Sequence, residues 1–485
     1  MIWKAGDNMK VIQCDVAVIG AGSAGLSAYR AARTHDKHVL LIEGGAYGTT
    51  CARVGCMPSK LLIAAAETAH AVATADGFGI HVADMQIDGK AVMQRVRSER
   101  DRFVGFVLES VDGIPEADRL RGQARFLAPN RLQVGDDVEV QAARIVIATG
   151  SRPAIPDGLR ELGTHLIVND DVFDWEDLPD SVAVIGAGVI GLELGQALHR
   201  LGVRVAVFGR GDRLAQIADE AVNQKAIDSI GADIDLRMQT EVLSTHLVGD
   251  EVELQSRDAN GKTRTERFRF VLAATGRRPN VDQLRLEVTG LQLDDKGIPL
   301  FDSLTMQCGE SAIFLAGDVT NDRPLLHEAA DEGRIAGDNA ARFPEVADGL
   351  RRLPLSIAFT DPQIASVGKT ARDLEQNSYM TGTVSFDNQG RSRVMRQNHG
   401  LLKLYGERGT HRFLGAEMVG PRAEHLAHLL AWSCQSGLTV GQMLDMPFYH
   451  PVIEEGVRTA LRDLKENLLK QVNDIEHCSD CTPGI

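Results

Sequence analysis

Two stretches of the chain carry the same hydrophobic pattern. Residues 16–22 and 182–188 are the same seven letters, VAVIGAG. Each begins as a short apolar run with no polar interruption, as expected of a strand buried on both faces. Each then enters G-x-G-x-x-G and continues with helical spacing, as SAGLSAYRAAR in the first copy and VIGLELGQALHR in the second. A second β-branched run follows, Val39–Ile42 and Val205–Phe208. Strand, tight turn, helix and strand predict the opening βαβ unit of a dinucleotide-binding fold, twice. Further buried strands are predicted before ATGS (ending near Ser151), in VLAATGRRPN (Val271–Asn280) and in IFLAGDV, which leads to Asp318. The chain therefore divides into a first nucleotide unit (1–152, with 285–350), a second (153–284), and a third region (351–485) that has neither glycine motif.

The three glycines of each turn have separate tasks. Gly20 and Gly186 make the tight turn, Gly22 and Gly188 let a pyrophosphate approach the backbone, and Gly25 and Gly191 let helix pack on strand. The free N–H groups of the helix then face the phosphate. An acid that holds a ribose hydroxyl should follow the first glycine by about 20 residues. Glu43 does so in the first copy. The same offset in the second copy lands on Gly209, with Arg210 next and Arg213 close by. Loss of the carboxylate and gain of arginines points to a 2′-phosphate, hence NADP rather than NAD. The alternative is that these arginines are solvated loop residues.

The 485 residues suffice for several domains. The formal charge of −15 argues against a nucleic-acid or anionic-membrane partner. No apolar run reaches the roughly 18–20 residues of a membrane span, and no signal-peptide core opens the sequence, so a cytoplasmic location is expected. There are seven cysteines, Cys14, Cys51, Cys56, Cys308, Cys434, Cys478 and Cys481. An odd number in such a chain does not suggest a structural disulfide framework, and any disulfide is expected to be catalytic.

Cys51 and Cys56 lie in TTCARVGCMPSK, ahead of a helical stretch. Five residues of ideal helix rise about 7.5 Å, beyond the usual ~4.4–6.8 Å Cα separation of a disulfide. If the two bond, the helix start must be distorted, and Gly55 and Pro58 offer the means. A helix N-terminus also favours thiolate. Two buried, unlinked cysteines are the competing reading. Metal binding is not expected, because no further Cys or His stands at zinc-site spacing. Near the C-terminus, YHPVIEE places His450 five residues before Glu455. A neutral imidazole can take a proton from a thiol and return it, and a carboxylate on its other nitrogen would fix its tautomer.

Taken in order, GAGSAG with Glu43, TTCARVGCMPSK, IATGS, GAGVIGLELG, TGRRPN, FLAGDV, FTDPQIASVG and YHPVIEE resemble the pyridine nucleotide–disulfide oxidoreductases from about residue 12 to 465. The likeness is strongest to the dihydrolipoamide dehydrogenases, with glutathione, thioredoxin and mercuric reductases as relatives. The resemblance implies an α/β fold with two Rossmann-like domains and a C-terminal α+β dimerisation domain. It implies FAD in the first site and NAD(P)H in the second. Cys56 would face the flavin as the charge-transfer thiolate, and Cys51 would exchange with substrate. Asp318 would bind the ribityl chain, and Lys60 would lie near the flavin and pair with Glu193. Ser23, Thr50, Ala124, Thr149, Gly150, Ser151 and Leu326 fall at further FAD positions. Val189, Ile190, Gly276 and Arg277 fall at further NAD(P) positions. His450 and Glu455 would enter the active site of the other subunit of a homodimer.

The substrate is the open point. His450 opposes mercuric reductase, which typically has tyrosine there, and Val189 stands where glutathione reductase typically has a gating tyrosine. CARVGCMPSK and Gly209–Arg210 depart from the usual dehydrogenase letters. The tail HCSDCTPGI carries Cys478 and Cys481 as C-x-x-C. This is a thiol relay, a frayed end with incidental thiols, or a weak metal site with His477. Three functions follow: a dihydrolipoamide dehydrogenase, an NADPH-driven disulfide reductase using the tail, or a mainly structural subunit of an acyltransferase complex.

Overall fold

Val16, Ala17 and Val18 are fully buried and Ile19 nearly so, because their strand, Lys10–Ile19, is covered on both faces. It pairs in parallel with Val39–Glu43 on one side and Val138–Ile147 on the other. Arg119–Arg121 extends the sheet beyond Val39–Glu43, and Ile313–Leu315 joins it beside Val138–Ile147. The segment after residue 285 thus returns to the first sheet. The computed structural model describes residues 9–476.

Helix Ser23–Arg33 follows the first glycine turn and packs against helix Leu326–Arg342. The seam is made of small residues. A Cβ on Gly333 would sit 2.1 Å from the Ala24 carbonyl oxygen, and one on Gly337 2.3 Å from that of Ala28. Any side chain there would push the helices apart and tilt the glycine turn with them.

The second copy builds a second parallel sheet, in the order Asp235–Arg237, Arg204–Phe208, Ser181–Ile185, Phe270–Ala273, Leu166–Ile167. An antiparallel sheet of Glu241–Val248, Glu251–Arg257 and Thr263–Phe268 flanks it. A short antiparallel pair, Ser151–Pro153 with Arg277–Pro279, joins the two nucleotide units.

The third region is a five-stranded antiparallel sheet, ordered Leu355–Ala358, Gln363–Gly368, Phe413–Gly420, Leu401–Glu407, Tyr379–Ser385. Helices Ala423–Gln435 and Glu455–Glu476 share its core through Leu426, Leu430, Val457, Leu461 and Leu464. The fold class is the expected one, α/β with two Rossmann-like units and a C-terminal α+β domain. No helix among the described residues is long and apolar enough to cross a membrane.

Candidate active site

The two glycine turns are built alike, and the three tasks separate cleanly. Gly20 and Gly186 have φ of +107° and +120°, where an L side chain is disfavoured. A Cβ on either would also lie 2.3 Å (Gly20, from the Ala148 oxygen) or 2.2 Å (Gly186, from the Ala274 oxygen) from backbone. A Cβ on Gly25 or Gly191 would meet the oxygen of Gly20 or Gly186 at 1.8 or 2.0 Å. Gly22 and Gly188 differ, because a Cβ there would meet nothing within 4 Å. The protein has no packing reason for these two glycines. Each leaves open the space beside a helix N-terminus, which fits a pyrophosphate.

Glu43, at the end of its strand, accepts from the Ala21 N–H at 2.7 Å through Oε2 and from Gly45 N–H at 2.6 Å through Oε1. The carboxylate therefore stands at the mouth of the first turn. At the opposite edge, Asp318 Oδ2 accepts from the Ser151 hydroxyl at 2.9 Å. Thr149 and Asn280 exchange side-chain and backbone bonds of 2.8 and 2.9 Å across the joint, beside Gly150 with φ +67°. Ser23 opens the helix after the turn, Ala124 is buried in its strand, and Leu326 is half exposed at the start of its helix.

The cysteine segment is bent as the spacing demands. Helix Thr50–Val54 stops, Gly55 adopts φ −129° and ψ −116°, and a new helix begins at Cys56 and runs to Ala73. A Cβ on Gly55 would lie 3.0 Å from the Thr50 carbonyl oxygen and 3.3 Å from Cys51 Cα. The break brings Cys51 and Cys56 into side-chain hydrogen bonding as free thiols. The two groups are unequal. The hydrogen bond from Cys51 lowers the Cys56 thiol to about 7; burial opposes the shift and the Lys60 ammonium helps it. The same bond raises Cys51, and burial adds to that. Cys56 thus holds the thiolate and Cys51 the proton.

Lys60 lies one turn beyond Cys56 on the same helix. Its Nζ is 2.8 Å from Glu193 Oε2 and 4.5 Å from the centre of the Phe359 ring. Glu193, almost wholly buried, accepts the Phe359 N–H at 2.9 Å through its other oxygen. One ion pair therefore ties the thiol helix, the helix Val189–Arg200 and the third domain together.

At the second turn, Val189 is exposed and Ile190 partly buried. Gly209 is closed to any side chain, since a Cβ would meet Met238 Sδ at 2.8 Å and Ala187 Cβ at 3.0 Å. A carboxylate could not stand at that strand end without displacing its neighbours. Arg213 donates to the carbonyls of Ile217 and Ala218, so its guanidinium is engaged within its own loop. Arg210 is exposed, and among the described residues no hydrogen bond or ion pair holds it. Gly276 has φ +110°. Arg277 is turned to the joint, donating to the Ser151 hydroxyl at 2.8 Å and carbonyl at 2.7 Å, with Asp318 at 4.0 Å.

His450 Nδ1 donates to Glu455 Oε2 at 2.9 Å. Glu455 also accepts from Val452 N–H at 3.3 Å and Arg458 at 2.7 Å. These partners, the His450 bond first, hold its carboxyl below the usual range. The His450 side chain is 80% exposed, as is Tyr449 beside it. His450 faces outward from its own chain, while the groups acting on Cys51 are Cys56 and Lys60. His477, Cys478 and Cys481 lie outside the described residues.

The description pyridine nucleotide-disulphide oxidoreductase matches residues 14–333, and the dimerisation domain of the same proteins matches 355–461. The chain belongs to the pyridine nucleotide-disulphide oxidoreductase family. Among its relatives, a mercuric reductase of Acidithiobacillus ferrooxidans is 31% identical over 93% of this chain and 83% of its own length. A dihydrolipoyl dehydrogenase of Thermus scotoductus is 30% identical over 95% and 99%. The HOCl-induced flavoprotein disulfide reductase RclA of Escherichia coli has the same fold, with TM-score 0.78 and 22% identity over 93% of this chain and 99% of that one. The family is FAD-dependent and uses a pyridine nucleotide, and its dimerisation domain indicates a homodimer. The relatives do not separate dihydrolipoyl dehydrogenase from mercuric reductase.

The motif letters did not reveal Phe359 as a partner of Glu193, nor Glu417, whose buried carboxylate is described below. Neither belongs to a periodic or glycine-rich pattern.

Proposed function

We propose that this oxidoreductase passes electrons between NADP(H) and a dithiol–disulfide couple by way of bound FAD and the Cys51–Cys56 pair, in the manner of a dihydrolipoyl dehydrogenase. The observation that carries the reading is the unequal thiol pair, bent together at Gly55 beside Lys60. When bound, FAD supplies two-electron exchange between nicotinamide and thiols. Gly20, Gly22, Gly25, Glu43 and Asp318 would hold it, and Gly186, Gly188, Gly191 and Arg210 would hold the nucleotide.

The exchange steps belong to this chain's own residues. Cys51, once deprotonated, attacks one sulfur of a substrate disulfide. The substrate S–S bond breaks, a mixed disulfide forms, and the departing sulfur takes a proton. Cys56 thiolate then attacks Cys51 Sγ, restores the Cys51–Cys56 bond and releases the second substrate sulfur. Dithiol oxidation is the reverse. Because Cys51 carries its proton, the step needs a base. His450, oriented by Glu455 and exposed on its own chain, suits that role from the partner subunit of the homodimer.

A second reading is an NADPH-driven disulfide reductase; it shares the NADP(H) site supported by the exposed Arg210, which no hydrogen bond or ion pair holds among the described residues. Rates with lipoamide, dihydrolipoamide, glutathione disulfide and thioredoxin, each with both nucleotides, decide between them. Activity with dihydrolipoamide and NADP supports the first reading, and its absence beside NADPH-driven reduction of another disulfide replaces it. Arg210→Glu should reduce NADPH use relative to NADH use by at least about tenfold, since a hydrogen bond to a charged group contributes about 1.5–3 kcal/mol. Equal effects on both nucleotides would show that Arg210 does not meet the phosphate.

A further inference from the structure

The loop between strand Arg204–Phe208 and helix Glu220–Gly231 carries both arginines of the second site. Ala215 and Gln216 within it have φ of 44° and 63°. Two successive side-chain-bearing residues in the left-handed region persist only where the surroundings hold them. At its near end, Ala215 N–H donates to the Ala187 carbonyl at 3.1 Å, between Gly186 and Gly188 of the glycine turn. Its far end is held from another domain. Ala218 and Asp219 N–H donate to Glu417 Oε1 at 2.6 and 3.2 Å.

Glu417 sits on strand Phe413–Gly420 of the dimerisation domain and is 2% exposed. Its Oε2 accepts the Tyr405 hydroxyl at 2.8 Å and the Ala371 N–H at 2.9 Å. A buried carboxylate is tolerated only when its oxygens are bonded. If the loop moved away, Oε1 would lose both of its donors while remaining buried. Docking of the loop and burial of Glu417 are therefore coupled. A second tie, Lys403 Nζ to Asp219 Oδ2 at 2.6 Å, runs from the same sheet to the same loop end.

We propose that Glu417 is a positioning residue for the nucleotide: from the dimerisation domain it locks the Arg210–Arg213 loop, and through Ala215 the second glycine turn, in the shape that binds NAD(P). The inference rests on reading the second turn as the NAD(P) site. It makes nucleotide affinity depend on a side chain in a different domain.

Glu417→Gln keeps the shape and one carbonyl oxygen but removes the negative charge, so the bonds that hold the loop lose their charge assistance whichever way the amide turns. It should raise KM for NADPH about tenfold, the effect of one lost hydrogen bond to a charged group. Saturated kcat should stay within about twofold, as for a binding effect alone. Reduction of the bound flavin by excess dithiol, which needs no nucleotide, should not change. Tyr405→Phe removes a donor from the other oxygen only and should leave KM near the parent value. Equal effects of the two variants, or lower thermal stability of Glu417→Gln with unchanged KM, would overturn the proposal. If Glu417→Gln does not fold, the wild-type holoenzyme still tests it. Saturating NADP should slow amide exchange at 214–219 and at Ala371 together, and an unchanged pattern refutes the coupling. A wild-type enzyme that prefers NADH would overturn the NADP reading alone, and the Glu417 test would then be read with NADH.

Discussion

The division of labour between the two thiols follows from one hydrogen bond and one ammonium. Cys51 donates to Cys56, and Lys60 adds its charge from one helical turn away, so Cys56 ionises first, near pH 7. An acid with a lowered pKa keeps its charged form to lower pH, and here that form is the nucleophilic thiolate. In dithiol-reduced enzyme, alkylation of Cys56 by iodoacetamide should therefore rise through a midpoint near 7. Lys60→Met should move that midpoint upward, because it removes the cation and leaves the Glu193 carboxylate uncompensated. Mass mapping of the alkylated peptide against pH measures both. A wild-type midpoint at the ordinary thiol value of about 8.5 would refute the assignment.

At the scale of the element, the two glycine turns offer a sharper test than loss of function. Gly20 cannot change without both a backbone clash and a disfavoured φ, so its replacement should damage folding. Gly22 and Gly188 face open space. Gly22→Val should fold with nearly parental thermal stability in the flavin-free state yet fail to retain FAD. Gly188→Val should stay yellow while its KM for NADPH rises strongly. Flavin content and thermal melting of the two variants check this pair. Should both retain FAD and parental KM, the phosphates do not lie over these glycines.

Across the whole molecule, the thiols and His450 stand on different domains. Cys51 and Cys56 sit where the first nucleotide unit faces the second, whereas His450 projects from the dimerisation domain into solvent. Mixing inactive Cys51→Ser and His450→Ala subunits should recover activity. Each mixed dimer would combine one intact thiol pair with one intact base. Recovery is measured against the fraction of mixed dimer found by native mass spectrometry. No recovery despite mixed dimers would mean that the base serves its own chain or is not His450.

Much of this was legible in the letters, because the features concerned are local. A positive φ, a strand buried on both faces and a helix that must break between two cysteines all depend on neighbours within a few residues. The turns at Gly20 and Gly186, the break at Gly55, the strand before Glu43 and the adjacency of His450 and Glu455 were therefore readable in advance. The Lys60–Glu193 pair, 133 residues apart, came from resemblance rather than from spacing. Tertiary structure alone decided which polar groups are buried and what they meet. No motif in the sequence marks Glu417. It is buried because the second nucleotide unit packs over it and supplies two of its four donors. Likewise Arg210 and Arg213 look equivalent in sequence. The path of their loop engages one guanidinium with backbone carbonyls and leaves the other exposed, because hydrogen bonding across a fold is set by packing geometry and not by residue type.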